Sequence, residues 1–593
     1  MGTVDSPWAT AVDPSGLVTQ FGPGAPWSLD WWIGADDRWH FPSVDAGVRQ
    51  HLVGGAPVVE TLVRIPGGDA VQRVFGIRGA SFAGGDEWVV VEVENRSAVP
   101  FAVAFAVRPV TPEGLTSVTS ITMAPAAGDG HDAAQAVDVD GRTVMVLGRR
   151  PARIAAANAP VGDVADIVRR GDASELSSTG SWAGSTCPDG LAQAAFVFPV
   201  AHTATVRVVL PIGAEARTRP GWPAVIPPAV HVAAGWDAHT DRAMRMEVPD
   251  LQLAEAVAAA RRSLMLAPWS EGVRHVGPHR KRTVAGHDLV DTGRIVTALD
   301  RLGHHDEVAR TLQQWPEVLA SLGGAPEDDA AVVDAIATHR LLAGDQHLFD
   351  DLLPDVVASV SRLDRAASRG RLAAPDRRAA VRCLTTLAAA LDASGQPEGG
   401  AEVRSVLARM TSASAGNDVA GQPVEPREIL AAAIDALTTG QVVGADLLQR
   451  AVAAASATFA FASAGEPHDL VAAALLLDAV RALLVQESAD GLDLLTVFPP
   501  GWYGGAVELH DAPTVHGRLS YAVRWHGTRP ALLWELDGSP TRSPIRIAVP
   551  GLDPGWSTTK CRGEALLGEV APPVGLPSLR VVTEHPGDGA TFV

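Results

Sequence analysis

His287, Asp291 and Arg294 make the sharpest chemical set in this chain, because offsets of four and seven residues put all three on one face of a helix. An aspartate and an arginine on such a face can hold sugar hydroxyls by charge-assisted hydrogen bonds, and the plain alternative is an ion pair between them. The loop before them, PWSEGVRHVGPHRKRTVAGHD, adds Trp269, Glu271, Arg274, His275, His279, Arg280, Lys281 and Arg282. It reads either as a pocket wall, with Trp269 as its aromatic, or as a solvated basic loop. A second stretch, GGAPEDDAA, brings Glu327, Asp328 and Asp329. Acids at a helix start are favoured by the helix dipole alone, so capping competes here with contacting a sugar or supplying a catalytic acid. Asp376 after Pro375, and Glu466, His468 and Asp469 around Pro467, are further acids beside proline-marked helix starts.

The stretch SLDWWIGADDRWHFP sets Trp31, Trp32 and Trp39 among Asp30, Asp36, Asp37, Arg38 and His40. Indole faces stack on the apolar face of sugar rings while carboxylates take hydroxyls. Tryptophans are equally large core anchors, burying roughly 150–250 Å² each. His510 and His516, flanking DAPTVHG, read as structural histidines.

Other chemistries lack their motifs. HDLVD does not have the two-histidine spacing of HExxH, and neither GxxxxGK[ST] nor GxSxG occurs. His275, His279 and His287 have no paired cysteines or tight acidic set beside them, so neither a metal nor a cofactor is expected. Cys187, Cys383 and Cys561 lie far apart and support no disulfide framework.

These residues need a large scaffold. At 593 residues the chain exceeds what one core fills, roughly 250–300 residues, and implies two to four domains. Lys plus Arg is 48 against 68 for Asp plus Glu, a net charge of −20. Such a surface repels nucleic acid and anionic lipid, whereas a neutral oligosaccharide incurs no such penalty. The basic run RHVGPHRKR could hold a phosphate, and against the overall charge it reads first as an isolated patch. No apolar run of about 18 residues marks a membrane span. MGTVDSPWATAVDPSG lacks the basic and apolar regions of a secretion signal, so a cytoplasmic location is expected. MGTVDS has the outline of a myristoylation site, but the Ala- and Gly-rich composition points to a bacterial source. Composition leaves the oligomeric state open.

Residues 1–240 read as an antiparallel β-sandwich. VETLVRI, WVVVEVEN, FAVAFAVRP, TVMVLGR, AAFVFPV and TATVRVVLPI are short β-rich runs bounded by turn residues. RPGWPAVIPPAV then marks a boundary. Residues 241–490 turn helical: Leu253, Val257, Ala260 and Leu264 share one face, as do Phe349, Leu353, Val356, Val360 and Leu363. Pro354 predicts a helix start or kink there. Residues 491–593 return to strands as a small C-terminal β domain. Glycines at the ends of helical patterns, Gly303, Gly344, Gly395 and Gly440, suit left-handed helix caps. Their spacings of 41, 51 and 45 residues describe an array of helical hairpins with about ten helices in all. The expected fold is thus multidomain α+β.

This order, together with DLVDTGRIVTALDRLGHHDEVARTL, AAVVDAIATHRLLAGDQHLFDDLLPDVVASVSRL and ELHDAPTVHGRLSYAVRWHG, resembles the six-hairpin glycosidases. These are glucoamylase-like, trehalase-like and glycogen-debranching-like proteins built on an (α/α)6 toroid. The resemblance implies a pocket where outer helices lead into inner ones, here at about 267–286, 322–328, 366–375, 413–426 and 464–467. It makes Asp291 the aspartate that binds the terminal sugar, although Val290 stands where the family has arginine. It implies hydrolysis by inversion, with two carboxyls roughly 6.5–9.5 Å apart. Its acid follows the fifth helix, where this chain offers Asp376 in place of glutamate, and its base comes late, near Glu466. Glu327 and Asp329 are the other catalytic candidates. A sugar-binding or scaffold descendant without catalysis is the alternative that the missing glutamate motivates.

Overall fold

The computed structural model describes residues 1–4, 9–21, 27–79, 87–111, 114–126, 134–176, 182–212, 221–266, 273–276, 281–284, 288–316, 325–411, 423–462, 469–538 and 544–572. The expected order of β, helical and β regions is present, giving a multidomain α+β protein.

Two large sheets form the N-terminal sandwich. One runs Ala9–Val12, Val18–Phe21, Ser28–Gly34, Phe101–Arg108, Gln193–Val200, Arg153–Ala157, Ser174–Glu175, with Trp39–His40 paired to the side. The other places Glu87–Ser97 between Thr205–Pro211 and Gly68–Arg78 in a nine-stranded antiparallel array. The period of two explains the packing of the first sheet. In Phe101–Arg108, Phe101, Val103, Phe105 and Val107 enter the core between the sheets. Ala104 and Ala106 point the other way, and their small side chains let helix α1 (Val164–Arg170) lie against that face. The central strands of the second sheet are buried on both faces. Val89, Val91 and Val93 face the sandwich core, while Val90 and Phe75 join the core of the helical region.

Eleven helices follow among the described residues: α2 (Ala229–Thr240), α3 (Leu251–Met265), α4 (Leu289–Leu302), α5 (His305–Leu312), α6 (Pro326–Ala343), α7 (Gln346–Ser368), α8 (Ala374–Ala393), α9 (Pro397–Thr411), α10 (Pro426–Thr438), α11 (Val443–Ala453) and α12 (Leu470–Leu484). The hairpins α4–α5, α6–α7, α8–α9 and α10–α11 turn at Gly303, Gly344, Gly395 and Gly440. All four have φ between 70° and 94°, the left-handed region that glycine enters without a Cβ clash. The first helices of the hairpins and α12 pack side by side in the order α8–α6–α4–α12–α10, with α5, α7, α9 and α11 flanking their partners. Closing a toroid would require α8 against α10, and among the described residues these two do not pack along each other.

Two local expectations change. Helix α7 continues through Pro354, because Asp345 caps its start and Leu348, Phe349, Leu352 and Val356 anchor both sides of the proline. Within the first long connection, Val273–Val276 pairs with Lys281–Val284 as a two-stranded hairpin. Among the described residues no helix is long and apolar enough to cross a membrane.

The C-terminal β region is interleaved with the helices. Strand Arg245–Glu247, from before α3, pairs with Val507–Thr514, and Val485–Glu487 follows α12 directly. Gly344→Ala isolates the cost of positive φ, since a Cβ there meets no atom within 4 Å. We expect a loss of about 1 kcal/mol, measured by urea unfolding.

Candidate functional site

Three helices begin around one arginine. Asp288 caps α4 by accepting from the Asp291 backbone N–H at 2.9 Å, which places the Asp291 side chain in the first turn. Its Oδ2 accepts from Nη1 of Arg427 at 3.3 Å, and its Oδ1 from Nη1 of Arg294 at 3.4 Å. Arg427, in the first turn of α10, also donates through Nε to Oδ2 of Asp469. Asp469 caps α12, its Oδ1 taking the N–H groups of Val471 and Ala472 at 3.0 Å each. A basic residue at a helix start opposes the helix dipole, and two carboxylates offset it here. Exposure is graded: the Asp469 side chain is fully buried, Asp291 is 19% exposed, Arg427 32% and Arg294 49%.

The other candidates are dispersed. Asp329, buried in the first turn of α6, is clamped by Arg362 from α7: Nε reaches both carboxylate oxygens, at 3.0 and 3.1 Å, and Nη2 bonds Oδ1 at 2.6 Å. This bidentate fork ties α6 to α7 and occupies the carboxylate that a substrate would need. Glu327 is exposed in the first turn of α6, and Asp376 is half-buried in the first turn of α8. Both positions are favourable for an acid through the helix dipole. His287, Trp269 and Glu466 lie outside the described residues.

Trp31 and Trp32 are 0% and 1% exposed, so their area goes into packing and offers no face for a sugar to stack on. The Trp31 indole N–H donates to the Ser15 carbonyl at 3.0 Å. Trp32 lies 5.2 Å from Phe41, with the Arg108 guanidinium 5.9 Å over its ring. Beside them burial raises the Asp30 pKa, and the charge of Arg108 opposes the rise. His510 and His516 do make structural bonds, to the Glu508 carboxylate and the Ser488 carbonyl.

At the opposite end of α4 a second polar group is buried. The Asp300 carboxylate accepts from Nδ1–H of His305 at 2.6 Å and of His339 at 3.1 Å. One Asp with two His is a set that can ligate a metal. These separations are those of hydrogen bonds, and they join hairpin α4–α5 to hairpin α6–α7. Arg427 and the Asp300–His339 link were both missed from sequence. An arginine in the first turn of a helix, against the dipole, was the available signal for the former. For the latter it was the recurrence of Asp and His beside the turns at Gly303 and Gly344.

Burial raises the Asp300 pKa, but the bonds from His305 and His339 outweigh it, so the folded value lies below the ordinary aspartate value. The stabilisation is therefore complete above that value and fades as pH falls through the folded one. We expect Asp300→Asn to cost about 3 kcal/mol near pH 7, since it leaves buried polar partners uncompensated. In denaturant unfolding, the gap from the unsubstituted protein should narrow below about pH 4.

Compared with protein-family models and with curated proteins, the chain matches none. Among solved structures, a bacterial glucoamylase complexed with acarbose is similar at 10% identity and a TM-score of 0.40. That similarity covers 69% of this chain and 66% of the glucoamylase, so the chain spans just under two thirds of that protein's length. A polysaccharide lyase is similar at 9% identity and a TM-score of 0.21, over 76% of this chain and 82% of that one. Likeness of this extent assigns neither an activity nor a ligand.

Proposed function

We propose that this chain is a carbohydrate-active protein that binds the end of a neutral oligosaccharide where α4, α10 and α12 begin. The supporting observation is the bridge Asp291–Arg427–Asp469, with Arg294 beside it. The carboxylates of Asp288, Asp291 and Asp469 stand with the guanidiniums of Arg294 and Arg427, a mixture of acceptors and donors that suits a polyol. The bonds to Asp291, at 3.3 and 3.4 Å, are long, so a sugar hydroxyl can replace them at little cost. Asp291, Arg294 and Arg427 are all partly open to solvent, while Asp469 anchors the set.

Hydrolysis with inversion is the finer form of this reading, and it requires two carboxyls across the scissile bond. Glu327, Asp376 and Glu466 are the acids left for that work. Engagement of Asp329 by Arg362 removes a fourth, and this favours the second reading, sugar binding without turnover.

Calorimetric titration with α-glucans, trehalose and β-linked oligosaccharides tests the proposal. At least one should bind, and Asp291→Ala should weaken it roughly tenfold to hundredfold, as expected for hydrogen bonds to a charged group. A folded protein that binds no member of the panel, or binds one unchanged after Asp291→Ala, would overturn it. Turnover abolished by Glu327→Gln or Asp376→Asn would favour the hydrolase, and binding without turnover the non-catalytic form.

A further inference from the structure

Helix α3 carries adjacent arginines that both point inward, Arg261 at 7% exposure and Arg262 at 5%. They line a cavity of about 140 Å³ with Thr240, Asp241, Arg245 and Val257, between the end of α2, the strand Arg245–Glu247 and α3. Arg262 is met by the Gly54 carbonyl at 2.9 Å and by the Asp237 carboxylate. The sandwich closes on it through Gly55, where φ is +67° and a Cβ would stand 2.7 Å from the guanidinium.

Arg261 is different. One Nη donates to the Met244 carbonyl at 2.7 Å, but it has no ion pair among the described residues. The Nε groups of Arg261 and Arg262 are both buried without a hydrogen-bond partner. Burial pushes the Arg261 pKa down to about 10, the Arg262 charge acts in the same direction, and Asp241 opposes them. His304, close enough to feel the Arg261 charge, also has a buried Nε2 without a partner. A guanidinium stays protonated near neutral pH, so burying one without a counter-charge is costly. Arg245, Arg261 and Arg262 face two nearby carboxylates, Asp237 and Asp241, and Arg245 also lies 3.9 Å from Asp511 at the surface.

We propose that this cavity binds a small oxyanion of the phosphate or sulfate type, with Arg261 and Arg262 as donors and Arg245 at its mouth. An oxyanion among the lining guanidiniums would supply the counter-charge that Arg261 lacks among the described residues, and guanidinium forks match its geometry. The volume is about ten times the roughly 10–15 Å³ that admits one water, enough for one oxyanion with some hydration. A sugar ring esterified to it would project from the mouth. None of these residues belongs to the Asp291 set, so failure of the oligosaccharide panel leaves this proposal standing.

Thermal unfolding of the full chain tests it, in sodium phosphate, sodium sulfate or a hexose phosphate, against sodium chloride at matched ionic strength. Tm should rise with the logarithm of phosphate or sulfate concentration and stay level in chloride. A larger rise with the hexose phosphate would identify an esterified phosphoryl group as the ligand, and an equal or smaller one the free anion. Arg261→Met should abolish the phosphate-dependent rise and increase Tm in its absence, because an unpaired buried charge is gone. If that variant does not fold, Arg245→Gln at the mouth should weaken phosphate about tenfold, as for one lost charged contact. Equal responses to chloride and phosphate overturn the proposal. So does a phosphate response that survives whichever of the two substitutions folds.

Discussion

A charge taken out of water must find a partner, and the helical region meets this demand at both ends of α4. Where α4, α10 and α12 start, Arg427 neutralises Asp469 and reaches Asp291. Where α4 ends, Asp300 is held by two imidazoles, and Arg301 crosses to Asp478 of α12 at 2.6 Å. Asp329 and Arg362 do the same between α6 and α7. These pairs link helices that apolar packing alone would allow to slide, because leucine and alanine faces are tolerant of register and a bidentate fork is not. Arg261 departs from the pattern, and that departure lends its cavity chemical interest.

The sandwich supports the helices through the centre of its second sheet, which is covered on both sides. That sheet gives one side to the core between the two sandwich sheets and the other to α2 and α3, where Val90 and Phe75 meet Trp236 and Val257 in one continuous core. The same core runs on to Val507, Leu519 and Leu532 of the C-terminal strands. Arg481 reinforces the joint, bonding Glu487, the Arg301 carbonyl at 3.1 Å and the Pro513 carbonyl. The three regions therefore share apolar surface, and the anion cavity sits where the sandwich turn, α2 and α3 come together.

Helix starts and helix ends have separate roles. The short glycine turns leave little chain for a ligand site, and the polar groups beside them are spent on joining hairpins. The longer connections lead into the helix starts, where Asp291, Arg427 and Arg294 are partly exposed. Exposure rises from the fully buried Asp469 to the half-open Arg294, so that end has a fixed base and an open rim.

What could be read from the residues alone was local. Strand alternation in FAVAFAVR, the glycines at 303, 344, 395 and 440, and the acids at helix starts each follow from chemistry within a few residues of chain. The order of β, helical and β regions followed from the same periodicities. Partners distant in the chain were not legible. Arg427 meets Asp291 across 136 residues, and Arg262 meets Gly54 across 208. Trp31 and Trp32 could be read as sugar platforms or as core or interface anchors, because an indole suits both and only its neighbours decide. Local propensity selects helix, strand and cap, whereas which charges meet, which rings are buried and which cation stays unpaired is settled by packing between distant segments.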